Sequence, residues 1–391
     1  MDSEIYLHPI ELPEYNQDGN YEKRRFGDYI TSYTKEGEFP EIYQADLAIL
    51  GIEESRNSLD NKACSTAPDK VRQHLYSLFS FSNKINIVDV GNIKEGASIN
   101  DTYYAARNVI AELLDNDIVP IIIGGSQDLT YANYMAYEKQ GKIINLTTID
   151  SSFDLGNAEE SFNSKSHISK IILHQPNYLF NLTNIGYQSY FVDFEAIKLM
   201  KKLLFDVYRL GVVRADMEEA EPLVRNADII SFDIGSIRQS DAPGNANSSP
   251  NGFYGEEACQ ISRYAGISDK VSSIGFYELN PQKDKSGLTA HLVAQMIWYF
   301  AEGFYHRKGD FPHKDKKDYL KYIVTLDNQV DEIIFYKSKK SGRWWMEVPL
   351  INPEFAKYQR HFMVPCSYKD YETATNKEVP DRWWQVYQKL M

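Results

Sequence analysis

The chain has 391 residues, and its 55 acidic residues outnumber its 42 lysines and arginines, which gives a formal net charge of −13. This balance argues against a nucleic-acid-binding protein, because such proteins usually present a basic face. Hydrophobic residues make up 43% of the chain, which is enough apolar surface to exclude a mainly disordered protein.

The sequence also lacks the usual signs of export and of membrane insertion. Its first residues are acidic where a signal peptide is basic, and no apolar run approaches the roughly 18 residues of a membrane span. The three cysteines are far apart and form neither a disulfide framework nor a CxxC metal motif. We therefore expect a cytoplasmic protein without a membrane span.

The predicted elements alternate between strands and helices after an irregular start. Residues 1–44 show little periodicity and are predicted to form an amino-terminal arm. Residues 45–306 alternate apolar strands with amphipathic helices, which predicts a three-layer α/β/α domain with a mostly parallel sheet. In chain order, the predicted strands cover 45–52, 85–90, 118–123, 143–149, 190–194, 228–232 and 271–277, and the predicted helices include 101–115, 128–139, 254–266 and 287–305.

The composition changes near residue 307, and residues 307–391 are predicted to form a carboxyl-terminal extension. Residues 331–349 are typical of two strands around a Lys-Ser-Gly turn, so the extension should contain β structure. It carries two tryptophan pairs, Trp344-Trp345 and Trp383-Trp384. Because tyrosine and tryptophan are favoured at interfaces, the extension could bind a protein partner. The alternative is that these aromatic side chains pack back on their own domain.

Carboxylates follow three of the predicted strands at the point where each strand ends. They are Asp150 with Asp154, Asp233 and Glu278. The carboxyl ends of parallel strands meet at one edge of a sheet, so these side chains should lie together. Carboxylate oxygens suit a hard divalent cation. Carboxylates at strand ends also cap helices, and in that interpretation the edge would bind neither metal nor ligand.

Taken in order, the motifs of residues 45–306 resemble those of the arginase/agmatinase/formimidoylglutamase family, the ureohydrolases. The last motif is more similar to formimidoylglutamases and agmatinases than to arginases proper. The resemblance implies an arginase-like fold, hydrolysis of C–N bonds in linear amidines or guanidines, and a homo-oligomer. The motifs are Ala67-Pro68 with Arg72, Gly124-Gly125, Asp150-x-x-x-Asp154, Ser231-Phe232-Asp233, Pro243-Gly244 and Glu278-x-Asn280-Pro281.

The resemblance also implies two Mn²⁺ ions held by six ligands, and this chain matches three of them, Asp150, Asp154 and Asp233. A water bridging two ions is the nucleophile of such hydrolases, so losing ligands should disable binuclear catalysis. We expect two Mn²⁺ ions to be absent. The replaced ligand positions carry Gln127 and Ser152 where the family has histidines, and Gly235 where it has an aspartate.

The three matching aspartates could bind one divalent cation, which would be Mg²⁺, Ca²⁺ or Mn²⁺. The alternative is that they bind no ion. The amide oxygen of Gln127 could complete an all-oxygen site. Without an ion the carboxylates would repel each other, and the pKa of at least one should rise. Arg238 is a candidate for the balancing positive charge.

Two further residues are candidate catalytic groups through the resemblance. His167 is similar to a family histidine that shuttles protons, and the alternative is an ordinary surface histidine on a loop. Glu278 is similar to a family glutamate that pairs with a cationic guanidinium or amidinium, and the alternative is a cap for the next turn.

Two functional hypotheses follow. The first is a degenerate ureohydrolase, a pseudoenzyme that acts through binding or assembly. The second is a working metal-dependent hydrolase of formimidoylglutamate-like or agmatine-like substrates that uses one remaining metal site. The sequence leaves open whether any catalysis survives.

Overall fold

The computed structural model describes residues 1–12, 24–82, 84–156, 161–312, 316–326, 332–349 and 353–391, with 353–356 described by backbone alone. Within these ranges the chain forms a ten-stranded sheet and a separate four-stranded sheet. No helix of the described ranges is long and apolar enough to cross a membrane.

The ten-stranded sheet has the spatial order β1-β4-β3-β5-β10-β9-β6-β7-β8, and β2 also pairs with β4. Its pairings are parallel apart from that of β1 with β4. The strands are β1 (Leu7–His8), β2 (Ile30–Ser32), β3 (Leu47–Glu53), β4 (Ile87–Lys94), β5 (Val119–Ile123), β6 (Ile144–Ile149), β7 (Leu179–Tyr187), β8 (Asp206–Arg209), β9 (Ile229–Asp233) and β10 (Ser273–Tyr277).

Helices cover both faces of this sheet, so the three-layer prediction is confirmed. Alternate residues of β3 point to opposite faces, and Ile49 and Leu50 accordingly belong to two different buried apolar clusters. The helices are α1 (Ala67–Leu75), α2 (Ile99–Asp115), α3 (Leu129–Lys139), α4 (His167–Leu173), α5 (Phe194–Lys202), α6 (Leu210–Ala215), α7 (Ala220–Arg225), α8 (Gly255–Ile267) and α9 (Leu288–Tyr305).

The predicted amino-terminal arm contributes two short strands to the main sheet. Strand β1 pairs antiparallel with β4, and β2 pairs parallel with it. Residues 13–23 of the predicted arm lie outside the described residues. The division of the chain at 44 stays a prediction, although both short strands of the arm are part of the main sheet.

The extension forms the second sheet, with the antiparallel order β11-β12-β13-β14. Trp344 and Trp383 are buried in an apolar cluster of the extension itself, and Trp345 is buried in a smaller cluster with Tyr336 and Met363. These side chains pack back on their own domain, and a partner for the extension stays a prediction. The elements are β11 (Tyr319–Thr325), β12 (Glu332–Ser338), β13 (Trp344–Glu347), β14 (Met363–Cys366), α10 (Tyr368–Thr375) and α11 (Asp381–Lys389).

The predicted strand over 190–194 is wrong. Residues 190–191 form a turn, Asp193 caps α5 by accepting a hydrogen bond from the Glu195 backbone N–H at 3.0 Å, and Phe194 begins that helix. The aromatic and β-branched residues that suggested a strand include Tyr190 and Phe191, which are exposed. The strand of this region is β7, which lies earlier in the chain.

Candidate functional site

The predicted carboxylates do lie at one edge of the sheet. Asp150 directly follows β6, Asp233 ends β9 and Glu278 directly follows β10, and these three strands are neighbours in the order β10-β9-β6. All three carboxylates are buried, as is Asp154. Beside them lies a cavity of about 530 Å³, which Ser152, Asp154 and Lys165 help to line.

A lysine side chain occupies the space between two of these carboxylates. The Lys165 Nζ atom lies 3.5 Å from Asp154 Oδ1 and 3.4 Å from Asp233 Oδ2. Burial alone would lower the pKa of Lys165, but Asp154 and Asp233 raise it well above its usual value. The side chain keeps 29% of its surface exposed. The ammonium group therefore supplies a positive charge to the carboxylates.

Ser152 links the other pair of carboxylates. Its hydroxyl lies 2.6 Å from Asp154 Oδ1 and 3.3 Å from Asp150 Oδ1, and its backbone N–H donates to Asp150 Oδ1 at 2.9 Å. Burial and the neighbouring Asp154 raise the pKa of Asp150 well above its usual value. Burial also tends to raise the pKa of Asp154, but Lys165 holds it below its usual value. The sequence prediction of a raised carboxyl pKa agrees with this arrangement.

Asp233 caps the turn that follows it. Its Oδ1 atom accepts a hydrogen bond from the Gly235 backbone N–H at 2.7 Å, and its Oδ2 atom faces Lys165. Burial raises the pKa of Asp233, although Lys165 opposes the effect. Asp233 therefore caps the turn through Oδ1 and contributes to the candidate site through Oδ2.

Gln127 is buried beside this edge of the sheet. Its Nε2 atom lies 3.4 Å from Ser231 Oγ, and its Oε1 atom has no hydrogen-bond partner among the described residues. Its backbone N–H donates to Glu278 Oε1 at 3.0 Å. An amide oxygen without a partner is uncommon in a buried position, and it is the one feature that favours a polar or cationic ligand at Gln127.

Glu278 is held by three donors. Its Oε2 atom accepts hydrogen bonds from Ser58 Oγ and Asn61 Nδ2, both at 2.9 Å, and its Oε1 atom accepts the Gln127 N–H. Burial, with a contribution from Asp233, raises the pKa of Glu278 to about 7. Its carboxylate binds residues earlier in the chain, so it does not cap the turn that follows it. Its role toward a substrate stays a prediction.

His167 is fully buried at the start of α4, so the alternative of a surface histidine is wrong. Its Nδ1 atom donates to the Ser164 carbonyl oxygen at 2.8 Å and lies 3.9 Å from Asp154 Oδ2. Burial lowers the pKa of His167, which favours the neutral ring, and Nε2 has no hydrogen-bond partner among the described residues. The ring packs behind Asp154 and does not line the cavity.

The backbone is strained at two of these carboxylates. Asp154 and Glu278 have φ values of 47° and 65°, in the left-handed region that disfavours residues with side chains. Such conformations cost on the order of 1–3 kcal/mol each and concentrate at functional sites. The strain adds to the case for a site at this edge.

The sequence matches the family described as "Arginase: Arginase family" over residues 45–302. The chain belongs to the arginase family. Curated relatives include formimidoylglutamases from Staphylococcus aureus, strains JH9 and Newman, which are 27% identical over 266 residues, covering 65% of this chain and 85% of each relative.

Solved structures of the arginase family share the fold. They include Trypanosoma cruzi formiminoglutamase with Mn²⁺, with a TM-score of 0.63, 18% identity and coverage of 69% of this chain and 97% of that one. Bacillus subtilis formimidoylglutamase has a TM-score of 0.65, 20% identity and coverage of 78% and 99%. Arginase from Medicago truncatula has a TM-score of 0.57, 19% identity and coverage of 68% and 88%.

The residues present do not fit the two metal ions that the arginase family implies. Gly235 has no side chain to offer, the Ser152 hydroxyl is bonded to the aspartates, and the Lys165 ammonium lies where a cation would contact Asp154 and Asp233. In the described part of the chain, no three His, Cys, Asp or Glu side chains are placed to hold one ion. A single ion at Asp150, Asp154 and Asp233 would first have to displace Lys165, and that site stays a prediction.

Lys165 was not predicted from the sequence, which suggested Arg238 in its place. The Arg238 Nε atom donates to Asp241 Oδ1 at 2.8 Å, and its guanidinium stacks 3.9 Å from the centre of the Tyr254 ring. Arg238 is therefore used elsewhere, and Lys165 supplies the balancing charge. The one signal in the sequence was a cation directly before the Ser166-His167 motif, on a loop whose path the spacing does not reveal.

Proposed function

We propose that this chain is an arginase-family protein that does not hydrolyse substrates through two Mn²⁺ ions and that uses the carboxylate edge of its sheet for binding. The observation that carries the proposal is the Lys165 ammonium within 3.5 Å of both Asp154 and Asp233. The replaced ligand positions Gln127, Ser152 and Gly235 support it independently, because they remove both imidazoles and one carboxylate.

Electrostatics explain why the lysine and a metal would compete. Two like unit charges about 4 Å apart repel by about 4 kcal/mol at an effective dielectric constant of 20, and a divalent cation doubles that. A Mn²⁺ ion sharing oxygens with Lys165 would therefore have to expel the ammonium. The ammonium already neutralises part of the carboxylate charge that would attract the ion.

The ligand class that the relatives' names suggest is a small molecule with a cationic amidine or guanidine group, whose single charge Lys165 would repel half as strongly as the double charge of Mn²⁺. Asp154 lines the cavity beside Lys165, and Asp193 adds a carboxylate to the same wall. A planar amidinium or guanidinium matches the geometry of such carboxylates. Formimidoylglutamate and arginine, the substrates that the relatives' names indicate, carry these groups, and we propose that the chain binds ligands of this class without cleaving them.

The second candidate is the one-metal hydrolase. Two observations favour it, the retention of Asp150, Asp154 and Asp233 and the unpartnered Oε1 atom of Gln127. It requires Lys165 to withdraw, and it also requires a group that activates water.

Hydrolysis assays with Mn²⁺-loaded protein test the proposal. We expect neither formamide from formimidoylglutamate nor urea from arginine or agmatine above a protein-free control, while calorimetry detects binding of at least one of these compounds. Turnover by the unaltered chain would contradict the proposal. The positive control is a variant with Gln127→His, Ser152→His, Gly235→Asp and Lys165→Ala. A Cβ atom at 235 meets nothing closer than Asp233 Oδ1 at 3.2 Å.

We also propose a homo-oligomer, as the arginase-family resemblance implies, and a cytoplasmic location, which the three widely spaced cysteines favour. Beside the cavity, Tyr190, Phe191 and Phe194 expose 64%, 49% and 65% of their surfaces. Exposed aromatic groups of this kind favour an interaction surface. Light scattering on the full chain measures its mass in solution, and a monomer at all concentrations would contradict the oligomer.

A further inference from the structure

A second cavity lies at the amino ends of the strands of the main sheet. The carboxylate site, formed by Asp150, Asp154, Asp233 and Glu278, lies at their carboxyl ends. The second cavity has a volume of about 900 Å³ and is lined by residues 117–119, 143 and 270–272, which precede or begin β5, β6 and β10. Lys357 and Arg360 of the extension form its other wall. We call it the amino-edge cavity. It exists because the extension folds against this edge of the arginase-family domain.

The interior of the amino-edge cavity is positively charged. In the described part of the chain, its lining includes five cationic side chains against three carboxylates, the reverse of the balance of the whole chain. Two of the carboxylates, Asp115 and Asp117, are exposed. The third, Asp269, already accepts hydrogen bonds from the backbone N–H groups of Gly309 and Asp310. The cations are Lys142, Lys270, Arg307, Lys357 and Arg360.

One buried carboxylate behind the wall faces three of these cations. The Asp228 Oδ1 atom lies 2.6 Å from Arg360 Nη2 and 4.0 Å from Lys142 Nζ, and its Oδ2 atom lies 4.0 Å from Lys270 Nζ. Whatever the protonation of Lys270, the one negative charge of Asp228 does not neutralise the guanidinium of Arg360 together with the ammonium group of Lys142. Lys142 and Arg360 line the cavity with 34% and 24% of their side-chain surfaces exposed, so an anion in the cavity could contact both.

The protonation behaviour of neighbouring groups supports a positive potential here. Burial lowers the pKa of Lys270 to about 7, and Arg360 and Lys142 act in the same direction against Asp228. Burial lowers the pKa of His361 well below its usual value, and Lys270 and Arg360 lower it further. A bound anion would raise the pKa values of Lys270 and His361.

We propose that the amino-edge cavity binds a small organic anion through phosphate or carboxylate groups. The guanidinium of Arg360 and the ammonium groups of Lys142, Lys270 and Lys357 are the donors that such groups prefer. A volume near 900 Å³ exceeds that of a bare phosphate ion and suits an organic molecule. Ile118, Val271 and Phe311 give the cavity apolar wall for the rest of the ligand. The ligand would bridge the arginase-family domain and the extension.

Isothermal titration calorimetry on the full chain tests this site with two probes, pyrophosphate and citrate, at 0.15 M NaCl. We expect saturable binding of at least one probe in the millimolar range or tighter. The variant Lys142→Gln with Lys357→Gln should weaken binding by about tenfold or more, since each lost charge-assisted hydrogen bond is worth about a factor of ten. Lys357 is exposed and Lys142 is partly exposed, so the variant should fold.

The matched control is Lys139→Gln with Lys321→Gln, which removes the same charge from exposed positions outside the cavity. It should change the affinity less than twofold. Binding of pyrophosphate alone would assign a phosphate ligand, and binding of citrate alone a carboxylate ligand. Absence of binding by both probes, or binding that both variants weaken equally, would overturn the proposal. Neither result bears on the carboxylate site, which has the opposite charge.

Discussion

Lys165 is the residue on which the interpretation of the site depends. If its ammonium balances Asp154 and Asp233, then Lys165→Met leaves two buried carboxylates without their cation. We expect the free energy of unfolding without metal to fall by about 1–3 kcal/mol, measured by urea denaturation. Mn²⁺ should then stabilise the variant more than the unaltered chain, because the competing charge is gone.

The control for this experiment is Lys198→Met. Lys198 pairs with Glu195 at 2.8 Å, but both side chains are more than half exposed, so the loss should stay within about 1 kcal/mol. Equal stabilisation of the unaltered chain and the Lys165 variant by Mn²⁺ would contradict a lysine that competes with the metal.

Gly125, the second residue of the Gly124-Gly125 motif, has a left-handed backbone conformation close to another segment of the backbone. Its φ is 73°, and a Cβ atom there would lie 2.7 Å from the Glu54 carbonyl oxygen. Gly125→Ala should cost about 2 kcal/mol or more in unfolding free energy, because strain and a backbone clash add. Gly141 is the matched control, with φ of 64° and open space around the position, so Gly141→Ala isolates the strain alone at about 1 kcal/mol. Equal losses would remove the clash from the explanation.

Part of the site could be predicted from single residues. Asp150, Asp154 and Asp233 were found because each lies at or just after the end of an apolar strand, and strand ends share an edge. Lys165 could not be found in this way, since it lies on a loop that no periodicity fixes. Ser58 and Asn61, which donate hydrogen bonds to Glu278, were not predicted because they also lie on a loop.

At the scale of elements, a buried ion pair fixes α1 to the main sheet. The Arg72 guanidinium donates to both oxygens of Asp89 on β4, with Nε–Oδ2 at 2.7 Å and Nη2–Oδ1 at 2.8 Å. Both side chains are at most 1% exposed. Arg72→Met should lower the unfolding free energy by about 3–5 kcal/mol, because it leaves the Asp89 charge buried and uncompensated.

Arg263→Met is the comparison for this ion pair. Arg263 bonds Glu302 at 2.7 Å between α8 and α9, but it keeps 40% of its surface exposed. Denaturant titration should show a loss of at most about 1 kcal/mol for it. If both variants lost a similar amount of unfolding free energy, burial would not be the reason that the Arg72–Asp89 pair stabilises the fold.

Most elements of the main sheet could be predicted because their strands are continuous apolar runs. Strands β3 and β5 are of this kind and β9 and β10 nearly so, and these four are buried on both faces. Strand β6 was predicted although it carries Asn145 and two threonines. Strand β7 was missed because its two buried asparagines, Asn181 and Asn184, leave it no apolar run as long as those of β3 and β5. Asn184 Nδ2, for example, donates to Thr148 Oγ1 of β6 at 3.1 Å, a contact that sequence periodicity does not predict.

At the scale of the whole molecule, Arg225 joins the arginase-family domain to the extension. Its guanidinium donates to the Trp344 and Cys366 carbonyl oxygens and lies 4.4 Å from the centre of the Trp345 ring. Arg225→Leu should cost about 2 kcal/mol or more, because two buried carbonyl groups lose their donor. Hydrogen exchange should rise most in β13 and β14.

The exposed Arg209 supplies the control, since Arg209→Leu removes the same charge from the surface of the main domain. Its exchange pattern in the extension should match that of the unaltered chain. If Arg225→Leu left exchange in the extension unchanged, the two parts of the molecule would be held together by other contacts.

The manganese content of the unaltered full chain tests most directly whether the carboxylate edge of the sheet holds two metal ions. The protein is purified without chelator, loaded with Mn²⁺, dialysed and measured by plasma mass spectrometry. Lys165 lies within 3.5 Å of both Asp154 and Asp233, and Gln127, Ser152 and Gly235 offer neither an imidazole nor a carboxylate. We therefore predict far fewer than two Mn²⁺ ions per chain. A content near two per chain would show that this edge holds two metal ions and would contradict the proposed function.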